Sequence, residues 1–371
     1  MKKLLLICAA LCVVALSSCA KKGGKVKLPL GSNDSRPTIR LVTDATGIDD
    51  KSFNAAAWRG ILEFYGDTVE NTTGRGTLYD VVTCQTQDQY IPTLKQLSDE
   101  GYSIICATGF TFADAIGEVA DEYPNQKYVI IDVDWVNRPN VKEFVFREEE
   151  GSYLVGLAAA YQAKKDGIQN PKFGFIGGVP GATITKFEMG YIQGLREVIP
   201  DAEIVDYYAN DWGKPELAKT QAKAWYDNGV YAIFSAAGGT GNGTIAQAKE
   251  MRLAGKNVWA IGVDSDQYAD GIYAEGQSAV LTSMIKRVEK CAMIALAEMS
   301  YDGFVGGVMN LSLKDDGVDY SKANAALDSS VAASVDDMKN SISVGNIKVI
   351  GKYKDALVAG VVPAGLGAID D

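Results

Sequence analysis

Thr38-Ile39-Arg40-Leu41-Val42-Thr43-Asp44 is a short β-branched and apolar run that stops on a carboxylate. Ala45-Thr46-Gly47-Ile48-Asp49-Asp50-Lys51-Ser52-Phe53-Asn54 follows as a polar loop, and Phe53, Ala57, Ile61 and Phe64 then recur three or four residues apart. The pattern is strand, loop, helix. It repeats outward from this start. Leu78 to Cys84, Ser103 to Ala107 and Tyr128 to Ile131 read as strands, with helices marked by Tyr90, Leu94 and Leu97 and by Phe112, Ile116 and Val119 between them. A second series begins after Phe146, with a small-residue helix from Gly151 to Lys164. Its strands are Lys172 to Ile176, Glu203 to Tyr208, Tyr231 to Ser235, Val258 to Val263 and Ser278 to Ser283. Strands alternating with helices of ten to fifteen residues predict parallel sheets with right-handed crossovers. Two series in succession predict two α/β lobes. Residues 301–345 read as loops with a short terminal helix. Lys348 to Ile350 and Ala356 to Val361 read as small edge strands.

The N-terminus reads as an export signal. Lys2 and Lys3 precede an apolar run from Leu4 to Leu16. That run is shorter than the roughly 20 residues needed to span a bilayer, and fits the core of a signal peptide over residues 1–18. Leu16-Ser17-Ser18-Cys19 resembles a bacterial lipoprotein junction, which would make Cys19 the lipid anchor, with residues 19–36 as a tether. The expected place is the outer face of the cell membrane, attached through lipid alone. The remaining chain is too long for one simple core and suits two lobes.

Composition excludes several functions. The chain has 0 His, so Ser-His and Cys-His nucleophiles and His-based metal sites are absent. A formal charge of −11 is wrong for a nucleic-acid surface. Beyond Cys19, Cys84, Cys106 and Cys291 show no metal spacing and read as buried free thiols. No metal or cofactor is called for. Gly238-Gly239-Thr240-Gly241-Asn242-Gly243 lies between a strand and a helix but matches neither phosphate-loop pattern.

In an open parallel sheet, ligands sit beyond the carboxyl ends of the strands. Those ends here carry Asp44, Gly109-Phe110, Asp132, Gly177-Gly178, Asn210-Asp211-Trp212, Gly238-Gly239 and Asp264. In the first loop, Asp49, Asp50 and Ser52 read as caps for the following helix. Phe53 suits either stacking on a ring or the core, and the Asn54 amide can pair with the edge of a base.

Gly47-Ile48-Asp49-Asp50-Lys51-Ser52-Phe53-Asn54 with Ala57-Trp58 resembles the opening signature of the basic-membrane-protein family, lipoprotein substrate-binding subunits of ABC transporters that include purine-nucleoside receptors. Glu150-Gly151-Ser152-Tyr153, Trp212-Gly213-Lys214-Pro215, Ala237-Gly238-Gly239-Thr240-Gly241, Gly262-Val263-Asp264-Ser265-Asp266-Gln267 and Leu281-Thr282-Ser283-Met284-Ile285-Lys286 extend the resemblance in order. Lys214 departs from the family's usual Asp before the proline. The resemblance implies a type I periplasmic-binding-protein fold, two Rossmann-like lobes joined by three crossovers. Residues 37–146 with about 282–310 would form the first lobe, and 147–281 with about 340–371 the second.

For function, the resemblance implies a monomeric receptor, not an enzyme, that delivers a purine nucleoside to a permease. Asp44, Asn54 and Asp132 would address the base. Phe53 and an aromatic from the second lobe, Phe187 or Trp212, would sandwich it. Asp264 and Lys286, with the Gly239 backbone, would hold the ribose hydroxyls. Asp264 and Lys286 could alternatively form a plain interlobe salt bridge. A sugar or signalling molecule as ligand, or a nucleoside-processing enzyme, are the alternative functions.

Overall fold

The computed structural model describes residues 36–370. The signal segment and Cys19 lie outside the described residues, as does nearly all of the tether. The first sheet contains β1 (Ile39–Thr43), β2 (Tyr79–Thr83), β3 (Ile104–Thr108), β4 (Tyr128–Ile131) and β5 (Val141–Phe146). A late strand, β13 (Gly307–Leu311), completes it in the order β13-β5-β4-β3-β1-β2, all parallel. The second sheet takes β6 (Lys172–Gly177), β7 (Glu203–Tyr208), β8 (Val230–Ala236), β9 (Trp259–Asp264) and β12 (Val280–Lys286) in parallel. Its order is β14-β12-β9-β8-β6-β7, with β14 (Val318–Tyr320) antiparallel at one edge. A small hairpin, β10 (Ile272–Ala274) and β11 (Gln277–Ser278), stands apart.

The central strands are buried along their whole length, as β1, β3 and β4 illustrate, because helices cover both faces of each parallel sheet. The covering helices of the first lobe are α1 (Phe53–Tyr65), α2 (Tyr90–Glu100) and α3 (Ala113–Glu122). Those of the second are α4 (Glu148–Lys165), α5 (Ala182–Val198), α6 (Pro215–Asp227) and α7 (Asn242–Leu253). Helix α8 (Glu289–Ser300) returns to pack on α1. Pro215 opens α6, where its missing N–H is not needed. Helices α4 and α5 cross with their backbones almost touching. A Cβ on Gly156 would stand 2.3 Å from the Tyr191 carbonyl oxygen, and one on Gly194 2.1 Å from that of Tyr153. This close crossing fixes Phe187, on α5, relative to Glu148 at the start of α4.

The chain passes between lobes three times: from β5 to α4, from β12 to α8, and from β13 to β14. The crossovers are tied to one another. Arg147 N donates to Leu311 O at 3.0 Å, Arg287 N to Gly317 O at 2.8 Å, and Leu313 N to the Glu150 carboxylate at 3.0 Å.

Three expectations are corrected. Residues 282–286, assigned to the first lobe, pair in the second sheet between β9 and β14; only their end reaches the crossover. Residues 301–345 hold β13, β14 and a full helix, α9 (Ser329–Ser343), rather than loops and a short helix. Lys348 to Ile350 and Ala356 to Val361 are not strands. Tyr353–Val358 is a helix, α10, whose Ala356 packs with Met189 and Ile192 of α5, and whose first N–H groups are capped by the Asp370 carboxylate. Cys84, Cys106 and Cys291 are buried and free.

Candidate functional site

The carboxyl ends of the two sheets face one another across a cavity lined by both lobes. The first lobe contributes Asp44, Phe53, Asn54, Phe110 and Asp132 to the lining, and the second contributes Phe187, Trp212, Gly238, Asp264 and Lys286.

Asp44 follows β1. One of its carboxylate oxygens accepts from Thr46 N at 3.1 Å and from Asn54 Nδ2 at 3.1 Å, and also from the Thr46 hydroxyl. Asn54 Nδ2 also donates to Thr46 Oγ1 at 2.9 Å. The amide nitrogen of Asn54 is thus committed, and its plane is set. Asp50 accepts from Ser52 N, Asn54 N and Ala55 N at 3.1, 2.8 and 2.9 Å, and so caps α1 as expected of it. Ser52 does not cap the helix. Its hydroxyl donates across the cleft to Asp264 Oδ2.

The charged centre of the site is Lys286, at the end of β12 and 1% exposed. Its ammonium lies 2.6 and 2.7 Å from the two carboxylate oxygens of Asp132 and 3.0 Å from Glu148 Oε1. It also sits 5.1 Å from the centre of the Phe53 ring, 5.0 Å from Phe146 and 5.3 Å from Phe187, close enough for cation–π attraction. Burial disfavours the charge, but Asp132, Glu148 and Asp264 together hold the lysine pKa above its ordinary value. Lys186 reinforces the cluster, donating to Glu148 and to Phe146 O at 3.2 Å each. The alternative reading of Asp264 and Lys286 as a salt-bridged pair is not what forms: Lys286 binds Asp132, across the cleft.

Asp132 and Asp264 occupy matching positions, each at the end of the strand before the outer part of its sheet. Both have left-handed backbones, φ 69° and 63°. Asp rarely adopts this region without a local reason. Each is held by a side chain of the other lobe, Asp132 by Lys286 and Asp264 by Ser52. Burial pushes the Asp264 carboxyl up to about 7, against the lowering effects of Lys286 and the Ser52 bond.

The aromatic faces come from both lobes. Phe187 is buried and packs on Phe234 at 6.2 Å. Trp212 meets Phe110 edge to face at 6.2 Å across the cleft. Its seat requires Gly178, where a Cβ would stand 2.1 Å from the indole. Gly239 does not line the cavity. It packs against Trp212 O and Asp50, and Gly238 takes the lining position. Phe110 and Glu148 were missed as site residues. Phe110 was legible as a strand-tip aromatic, and Glu148 as the first of three successive carboxylates opening a helix.

A sequence model of the family described as ABC transporter substrate-binding protein, PnrA-like, matches residues 38–352. The chain belongs to this Bmp family. A CD4+ T-cell-stimulating antigen of Listeria monocytogenes is 34% identical over 345 residues, covering 91% of this chain and 94% of the relative. An ABC transporter nucleoside-binding protein, BmpA, of Lactococcus lactis is 34% identical over 339 residues, covering 89% and 91%. Among solved structures, an ABC transporter solute-binding protein from Aeropyrum pernix superposes with a TM-score of 0.74 at 25% identity, covering 88% of this chain and 97% of that one. The two-lobed fold is accordingly that of solute-binding proteins, and this Bmp protein places its strand-end carboxylates and aromatics where that fold holds ligands.

Proposed function

We propose that this chain is a lipid-anchored receptor that binds a purine nucleoside between its lobes and delivers it to an ABC permease as a monomer. The observation that carries the reading is the composition of one cavity: aromatic faces from both lobes, beside strand-end carboxylates and a lysine whose charge is already matched. Phe53 and Phe187 sandwich the base. Asn54 and Asp44 address its edge. Asp264 accepts from the ribose hydroxyls, since hydrogen bonds to a charged acceptor are the strong ones.

The charge balance favours a neutral ligand. Lys286 is the one cation among the described lining residues, and Asp132 and Glu148 already engage it. A phosphate would meet carboxylates and no free donor of positive charge. Lys286 thus acts by holding Asp132 in place rather than by reaching for the ribose. Binding without turnover is the reading that this charge balance supports.

Calorimetric titration with adenosine, 2′-deoxyadenosine and adenine tests the proposal. Affinity should fall in that order, because a site built to hydrogen-bond hydroxyls leaves its polar groups unpaired when they are missing. Equal binding of all three overturns the ribose assignment, and tight binding of a free sugar overturns the base. Cys19→Ser should release the protein from membranes; unchanged retention overturns the anchor.

A further inference from the structure

A serine directly before a helix ordinarily caps it. Ser52 stands in that place and does not. Asp50 has taken the duty with three backbone N–H bonds, and the Ser52 hydroxyl is spent instead on Asp264, in the opposite lobe. Between them Lys51 has φ 59°, a left-handed conformation that a lysine adopts at some cost. The turn needs an explanation beyond helix capping.

The second lobe supplies it. Asn242 Nδ2 donates to Asp50 O at 3.0 Å, and Gln267 Nε2 lies 3.4 Å from Lys51 O. Gln267 also donates to Asn242 Oδ1 at 3.2 Å, which ties the two gripping amides together. Lys51 Nζ pairs with Asp270 at 2.8 Å, and Arg59 donates to Ser265 Oγ. Two consecutive carbonyls and a hydroxyl of one turn are therefore held by one surface of the other lobe. All these bonds join protein to protein, so they favour closure whatever the cavity contains.

We propose that the Asp50–Ser52 turn is a closure latch, and that Ser52 is a positioning residue that joins the latch to the site by orienting Asp264. The half-buried Asn242 bond and the buried Ser52–Asp264 bond carry the latch. The exposed Lys51–Asp270 pair adds little, as surface ion pairs do. Closing is thereby separated from ligand contact: the latch draws the lobes together, and the same step sets one Asp264 oxygen so that the other faces the cavity. The apparent affinity of such a receptor scales with the fraction of molecules in the closed, binding-competent state.

Spin labels at Asp88→Cys and Glu216→Cys, exposed positions on the two lobes, read the interlobe distance in protein unfolded and refolded to remove bound small molecules. The unliganded protein should show a population at the short distance. Ser52→Ala with Asn242→Ala should shift it to the long distance, and Ser52→Thr, which keeps the hydroxyl, should restore it. Adenosine should still close the double variant, at roughly tenfold higher concentration, as expected if the closed fraction falls about tenfold. A purely long distance in the unliganded parent overturns the latch, and so does a double variant with the parent's distribution. These distances are read without ligand, so failure of adenosine to bind would count against the nucleoside reading and not against the latch.

Discussion

Replacing Lys286 by Met tests the charged centre. The ammonium is 1% exposed and lies within 3.0 Å of two carboxylates. Methionine fills similar space without charge, leaving Asp132 and Glu148 buried with only Lys186 nearby. Removing one partner of a buried ion pair costs about 3–5 kcal/mol, and that is the loss expected near pH 8. The deficit depends on pH. Stripped of the ammonium, the two carboxyls take pKa values above their unfolded ones. Stability from their protonated forms is present at low pH and is lost as pH rises through the raised values. Near pH 4 the variant should approach the parent, and by pH 8 the gap should be full. Asp132→Asn in the Lys286→Met background removes one of the stranded charges and should recover a large part of the loss. Denaturant unfolding followed by tryptophan fluorescence at pH 4 and 8 measures both. A variant within about 1 kcal/mol of the parent at pH 8, or a deficit independent of pH, refutes the view that Lys286 holds two buried carboxylates charged.

Other expectations follow from the same geometry. Burial pushes Glu188 up to about 8, with the Tyr208 bond opposing and Asp206 adding. Folding stability should therefore fall as pH rises from about 4.5 to 8, and Glu188→Gln should abolish that slope and gain about 3–5 kcal/mol at pH 9, read as thermal midpoints across pH. With the Asp264 carboxyl at about 7, nucleoside affinity should drop roughly tenfold from pH 8 to pH 6 as the acceptor is protonated; Asp264→Asn should bind weakly and flatten the profile in calorimetry. Phe53→Ala, at a half-buried position, should cost about 1–3 kcal/mol of binding with little change in melting. Phe187→Ala, in the core cluster, should cost about 3–5 kcal/mol of stability as well, and equal melting losses for the two would reverse this assignment.

The alternation of strands and helices was legible because parallel strands buried on both faces are continuous apolar runs. The strand β5 was passed over for a physical reason. Lys142 and Glu143 interrupt its apolar run, yet both are buried, Lys142 paired with Glu298 and Glu143 accepting from Val136 N and Asn137 N. Only tertiary partners make those residues compatible with a central strand. The strand-end rule brought Asp44, Asp132, Trp212 and Asp264 to the cavity, since chain direction alone decides which end faces the cleft. It could not say which charges pair. That Lys286 reaches Asp132 rather than Asp264, and that Ser52 abandons its helix for the other lobe, depends on how two lobes meet, and no local pattern encodes it. The Gly239 backbone was expected at the ribose, but which glycine touches the cavity depends on the turn, and Gly238 holds that place.

The three passages between lobes also dictate an order of assembly. During synthesis the second sheet is interrupted before it is finished, because its edge strand Val318–Tyr320 emerges after the chain has gone back to lay Gly307–Leu311 beside β5. The first sheet waits for a strand made some 160 residues after its neighbour, and pairing over such separations is slow, since loop closure precedes any gain in contacts. Until almost the whole polypeptide exists, each lobe keeps an open strand edge. Neither lobe is a contiguous fragment, so each is completed only after the chain has crossed between the two. The topology that forms the hinge thus also ties the completion of each lobe to that of the other.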